Sequence, residues 1–151
     1  MGVSPADAPS RLHRVAGTLA LSFLLVTLAW VLLHLPRLPE QVALQLHWPG
    51  ERTLGSRERV LAVPVMMLFM FGLLTLTERA GLMNLPDQGS PEANARAARG
   101  ASAGLRLLTT LLLSGASLSV LYSSAQPGLW PLWAFPLSVA GVAGLLWLLR
   151  R

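Results

Sequence analysis

The sequence predicts an all-α membrane protein, a four-helix transmembrane bundle with a structured, partly extended loop between helices 1 and 2. Three observations carry that prediction. Of 151 residues, 53% are apolar and 13% charged, with a mean hydropathy of +0.54; the charged share is roughly half that of an ordinary soluble domain. Four uncharged runs are each long enough, as a helix, to cross a hydrocarbon core. The only stretch with strand-like alternation lies between the first two runs. This composition excludes a disordered chain, a collagen-like repeat and a disulfide scaffold. The chain has no cysteine, which removes disulfides, thiolate metal sites and Cys nucleophiles. The net charge is +5 and the pI about 11.5, but all twelve basic residues are Arg and flank the apolar runs rather than forming a stripe. Nucleic-acid binding is therefore not expected.

The first run is Val15 to His34, preceded by Arg11, His13 and Arg14. Its apolar part exceeds a cleavable signal core and no small-residue cleavage site follows, so it reads as an uncleaved anchor. Ala6 stands where myristoylation wants Ser or Thr, which disfavours lipidation at Gly2. Pro36 and Pro39 predict that Leu35 to Pro39 is extended, with no helix leaving the first span. From Gln41 to Trp48 the chain alternates, with Val42, Leu44, Leu46 and Trp48 on one side. Pro49-Gly50 then turns it, and Glu51 to Leu54 returns toward Gly55-Ser56. A lone strand leaves its edges unsatisfied, so this loop is expected to lie on the membrane surface, to pair within itself or to pair with a partner.

The second run is Val60 to Thr77, with Pro64 in its first turns, Ser56 as a candidate N-cap and Glu58 adding negative charge at the helix start. In the connection Glu78 to Arg106, the turn-forming stretch Asn84 to Gly89 gives way to Ser90 as N-cap and Pro91 as first helical residue. Ala-rich Glu92 to Ala103, with Glu92 four residues before Arg96, predicts a polar helical stalk. Gly100 and Gly104 predict flexibility at the entry to the span, and Arg96, Arg99 and Arg106 face either anionic headgroups or water. The third run, Leu107 to Ala125, carries Thr110, Ser114, Ser117 and Ser124 near one face, a helix-packing stripe expected to face the bundle. The fourth, Trp130 to Leu149, has Trp130 and Trp133 at one end and Trp147 with Arg150 and Arg151 at the other, which suits two interfacial belts.

With both termini cytoplasmic, eight Arg fall inside and four outside, as the positive-inside rule prefers. The chain then divides into a cytoplasmic tail (1–14), a two-span module (15–77) with an extracytoplasmic loop (35–59), a cytoplasmic loop with a helical stalk (78–106) and a C-terminal transmembrane hairpin (107–151).

Leu38-Pro39-Glu40-Gln41-Val42, His47-Trp48, Gly50 and Gly55-Ser56-Arg57 occur in that order ahead of a membrane helix. They resemble the signature of a bacterial membrane-protein family of unknown function: Leu-Pro, a short hydrophobic stretch, His-aromatic, Gly, and Gly-Ser-Lys/Arg. The same module forms the N-terminal part of proteins similar to the sporulation-delaying-toxin immunity protein, which also holds a transcriptional repressor at the membrane. The resemblance covers Val15 to Thr77. It implies two spans joined by the signature loop, a bacterial inner-membrane location and an immunity-like role in binding or signalling. Ala43 stands where a second proline is common, Gln45 and Leu46 look like an insertion, and the immunity protein's C-terminal half has no counterpart.

The candidate binding residues are His47, Trp48, Arg52, Arg57 and Glu40. His47 is either a proton-responsive or ligand-binding group, since imidazole titrates near neutrality, or a donor to a loop carbonyl. Arg52, Arg57 and Arg59 with Glu51 and Glu58 either receive an acidic or peptidic ligand or form a solvated surface. His34 reads as an interfacial anchor, and its spacing from Glu40 and His47 supports no metal site. Met66, Met67, Phe69, Met70 and Phe71 read as packing or lipid-facing residues. No run has a charged residue at its centre, and no phosphate loop, carboxylate pair or HExxH motif occurs, so neither an enzyme nor a cofactor is expected. The expected role is non-catalytic binding of a peptide, another membrane protein or a second copy of the chain, in contact with membrane lipids. The alternative is a small transporter or a subunit of one, with a route along Thr110, Ser114, Ser117 and Tyr122.

Overall fold

The computed structural model describes residues 11–44, 53–83, 86, 89–123 and 132–149. Four helices occur, α1 (Arg11–His34), α2 (Ala62–Arg79), α3 (Pro91–Ser123) and α4 (Ala134–Leu149), and a hairpin of β1 (Gln41–Leu44) and β2 (Thr53–Ser56) joins the first two. α1, α2 and α3 are long and apolar enough to cross a membrane, whereas α4 is a shorter apolar helix.

Prolines fix several helix boundaries. A helical proline clashes with the carbonyl four residues earlier. For Pro64 that residue is Val60, and the chain there forms a 3-10 turn (Arg57–Leu61) before α2 begins. The expected start at Val60 is thereby moved to Ala62, and Ser56, at the N-cap of the 3-10 turn, makes no side-chain capping bond. For Pro136 the residue is Leu132, which lies in a turn accepting the Phe135 N–H at 3.3 Å. α4 therefore starts at Ala134 rather than Trp130, and its 16 residues span about 24 Å. Leu35–Arg37 is a 3-10 turn, not the extended segment expected, because the fixed φ of Pro36 also suits a first helical turn. Leu38, which precedes Pro39, is extended at φ −79° and ψ 147°.

At the start of α3, the Ala93 N–H donates to Ser90 Oγ at 3.2 Å and the Asn94 N–H to the Ser90 carbonyl at 2.9 Å. Pro91 at N1 has no amide proton to satisfy. The 33-residue helix then runs about 50 Å, unbroken through Gly100 and Gly104. The end of the Ala-rich segment packs into the bundle. Ser102 and Ala103 are buried, and His13 Nδ1–H donates to the Arg99 carbonyl at 3.0 Å.

The C-terminus of α2 ends in a Schellman motif: Leu82 N–H donates to the Thr77 carbonyl at 3.0 Å, and Gly81 N–H to the Glu78 carbonyl at 3.2 Å. Gly81 occupies the left-handed position at φ +66°. Gly81→Ala is expected to cost about 1 kcal/mol, read as a small downward shift in thermal unfolding of the purified protein.

α1 is central, packing on α3 and α4 and to a lesser extent on α2, which lies mainly against α3. The apolar core gathers at the C-terminal end of α1, where Trp30 and Val31 meet Leu38, Val42 and Val60 of the interhelical loop, Leu121 of α3, and Phe135 and Val139 of α4. The loop thus closes one end of the bundle. Along the remainder of the interface the buried residues are unusually polar: Thr18, Ser22 and Thr27 on α1, and Ser102, Thr110, Ser114 and Ser117 on α3.

Candidate functional site

The loop between α1 and α2 pairs within itself. β1 and β2 are antiparallel with Gln41 opposite Ser56 and Val42 opposite Gly55. Val42 is buried and Gln41 exposed, so this part of the alternation divides core from solvent. The Arg57 N–H donates to the Glu40 carbonyl at 3.1 Å and closes the base of the hairpin. Glu40 and Arg57 are thereby brought together on the rim of an open cleft of about 510 Å³, with Gln41, Ser56, Glu58 and Arg59. His47, Trp48, Arg52 and Glu51 lie outside the described residues, on the connection between the two strands, as does Ser124 beyond α3.

The rim carries both signs of charge. Arg57 Nε donates to Glu58 Oε1 at 3.4 Å, with side chains 41% and 65% exposed; such a surface pair adds little stability. The Glu58 carboxyl is held below its ordinary range, first by its own backbone N–H, then by the Ser56 hydroxyl and by Arg57. Among the described residues the sheet has two strands, so each keeps one backbone edge without a β partner among them.

His34 does not sit at an exposed boundary. It is 1% exposed, its Nδ1–H donates to the Trp30 carbonyl at 2.8 Å and its ring lies 5.2 Å from the Trp30 ring. Among the described residues no three His, Asp or Glu side chains gather as a metal site.

In the packing stripe, Thr110, Ser114 and Ser117 are buried. Thr27 Oγ1 and Ser114 Oγ are 2.7 Å apart, and Ser114 Oγ is 3.7 Å from Met67 Sδ. With Thr27 as donor to Ser114 and Ser114 to Met67, one orientation satisfies both hydroxyls. Thr110 and Ser117 donate to carbonyls of their own helix, those of Arg106 and Leu113, at 2.8 Å each. These hydroxyls are engaged within the bundle.

A second polar junction was not singled out from the sequence. Glu78, in the last turn of α2, accepts from Ser102 Oγ at 2.7 Å and from Arg106 Nη2, while Arg106 Nη1 donates to Thr75 Oγ1 at 3.3 Å. Arg106, expected above to face headgroups or water, is also an ion-pair partner within the bundle, with its side chain 11% exposed. A carboxylate at a helix C-terminus opposes the helix dipole, so Glu78 needs these donors. Its position there, with Arg106 the last charge before the third run, was the available signal. No protein-family model, curated protein or solved structure matches the chain.

Proposed function

We propose that this is a small polytopic membrane protein that binds a partner, without catalysis, through the hairpin loop between α1 and α2. The observation that carries the membrane part is an inverted surface. Phe69 is 66% exposed, Leu112 64% and Leu137 64%, while Ser22 and Ser117 are 0% and Ser114 2% exposed. In water this arrangement exposes apolar area and buries hydroxyls; in lipid it is the favourable one, because close packing and hydroxyl bonds hold helices together there. The Arg distribution supports both ends being cytoplasmic and the hairpin outside. The family resemblance supports the bacterial inner membrane and an immunity-like role.

The hairpin is anchored from below by Leu38, Val42 and Val60 in the core and offers a strand edge beside Glu40, Arg57, Glu58 and Arg59. An extended segment of a peptide or of another membrane protein, bearing both charge signs, is the partner this arrangement suits.

In a chain without native cysteine, His47→Cys, Ala95→Cys and Gly128→Cys report topology by labelling from either side. Labelling of the first and third from outside, and of the second from inside, is the expected pattern. Photocrosslinking from Gln41 in native membranes should give a discrete adduct that Arg57→Glu abolishes. A chain that stays monodisperse in plain buffer overturns the membrane reading, and an adduct indifferent to Arg57→Glu overturns the binding reading.

A further inference from the structure

A second cleft, about 500 Å³, opens at the end of the bundle opposite the hairpin, where α1, α2 and α3 meet. His13, Arg14 and Arg106 line it together with Leu21 and Phe71. Leu21 is seven residues from Arg14, about 10 Å along the helix, so the cleft is cationic at the helix end and apolar deeper in. We propose that it holds one anionic phospholipid, with the phosphate at Arg14 and Arg106 and an acyl chain along Leu21 and Phe71.

Charge complementarity argues for this occupant. Arg14 is exposed and takes part in no ion pair among the described residues. Arg106 shares its charge with Glu78, yet its Nε is buried with no hydrogen-bond partner among them. The cleft therefore carries more positive charge than Glu78 offsets, and a phosphate oxygen is a strong acceptor for the exposed Arg14 guanidinium. A free phosphate has no use for the apolar half of the cleft; an amphiphile fits both halves. Arginines on the cytoplasmic side also face the leaflet in which anionic lipids act on proteins. The proposal rests on the bilayer reading, not on partner binding by the hairpin.

The full chain, purified in detergent, is mixed with equal amounts of dioleoyl phosphatidylglycerol and dioleoyl phosphatidylcholine and examined by native mass spectrometry. Preferential retention of one phosphatidylglycerol is expected. Gly17 lines the cleft, and a Cβ there meets nothing within 4 Å, so Gly17→Phe should fill the space and abolish retention. Arg14→Gln should weaken it about fivefold, whereas Arg96→Gln, exposed and outside the cleft, should leave it unchanged. Equal retention of the two lipids overturns the proposal, as does native retention by Gly17→Phe or displacement by inorganic phosphate. If circular dichroism shows Gly17→Phe misfolded, the contrast between Arg14→Gln and Arg96→Gln decides alone. Failure here in a chain that still requires detergent leaves the membrane reading standing.

Discussion

Glu78→Ala is expected to destabilise the folded bundle by up to about 3 to 5 kcal/mol, because removing one member of a largely buried ion pair strands the other's charge. The Glu78 and Arg106 side chains are 18% and 11% exposed, so little water is available to either. Arg106 also lies 5.9 Å from the Phe71 ring centroid, and Ser102 donates to Glu78, so the loss extends to a bond and an orientation as well as a charge. Arg106→Met alone should cost a comparable amount, since it leaves Glu78 opposed by the dipole of its own helix. The double variant Glu78→Ala, Arg106→Met should recover most of the loss, because replacing both charges can be nearly neutral. The check is a double-mutant cycle on unfolding of the protein in detergent micelles. Strictly additive losses would mean that the two side chains do not act on each other, and the junction between α2 and α3 would then need another explanation.

That junction marks a limit on what the sequence made legible. The uncharged runs carry their own length, so α1, α2 and α3 were readable from hydropathy, and Ser90-Pro91 placed the start of α3 because cap and first-turn chemistry are local. The alternation likewise put Gln41 and Val42 on opposite sides, and the structure exposes the first and buries the second. Pairing across distance was not readable in the same way. Glu78 and Arg106 are 28 residues apart, and only the packing of α2 on α3 makes them neighbours. The same holds for Thr27, which looks incidental in an apolar run yet lies 2.7 Å from Ser114 in the stripe of α3. Pro64 was read as tolerated near a helix start, and Pro136 was not weighed, but each also excludes the residue four positions earlier from the helix, which shortened α2 and α4 relative to their apolar runs. Of the candidate site, the structure joins Glu40 and Arg57 through one backbone bond that no side-chain pattern announces.

Trp30→Ala is expected to be the other most damaging substitution, at about 3 to 5 kcal/mol. Trp30 is 3% exposed and lies edge-on to Phe135, with centroids 5.6 Å apart and planes at 87°. Phe135 in turn lies 6.3 Å from Phe23, so the indole joins α1 to α4 and supports His34 beneath the hairpin. In lipid, removing the ring forfeits dispersion contacts that no solvent molecule of matching shape restores. α4 depends on α1 for most of its packing, and β1 reaches the same core through Val42. The damage should therefore be regional: hydrogen exchange should accelerate in 134–149 and 41–56 while 91–106, held by Glu78 and Arg106, stays protected. Trp30→Phe keeps an aromatic edge against Phe135 and should lose well under half as much. A loss below about 1 kcal/mol for Trp30→Ala, the level of ordinary surface changes, would detach the hairpin from the bundle core. Partner binding would then have to be explained by a loop that orders itself without support from α1.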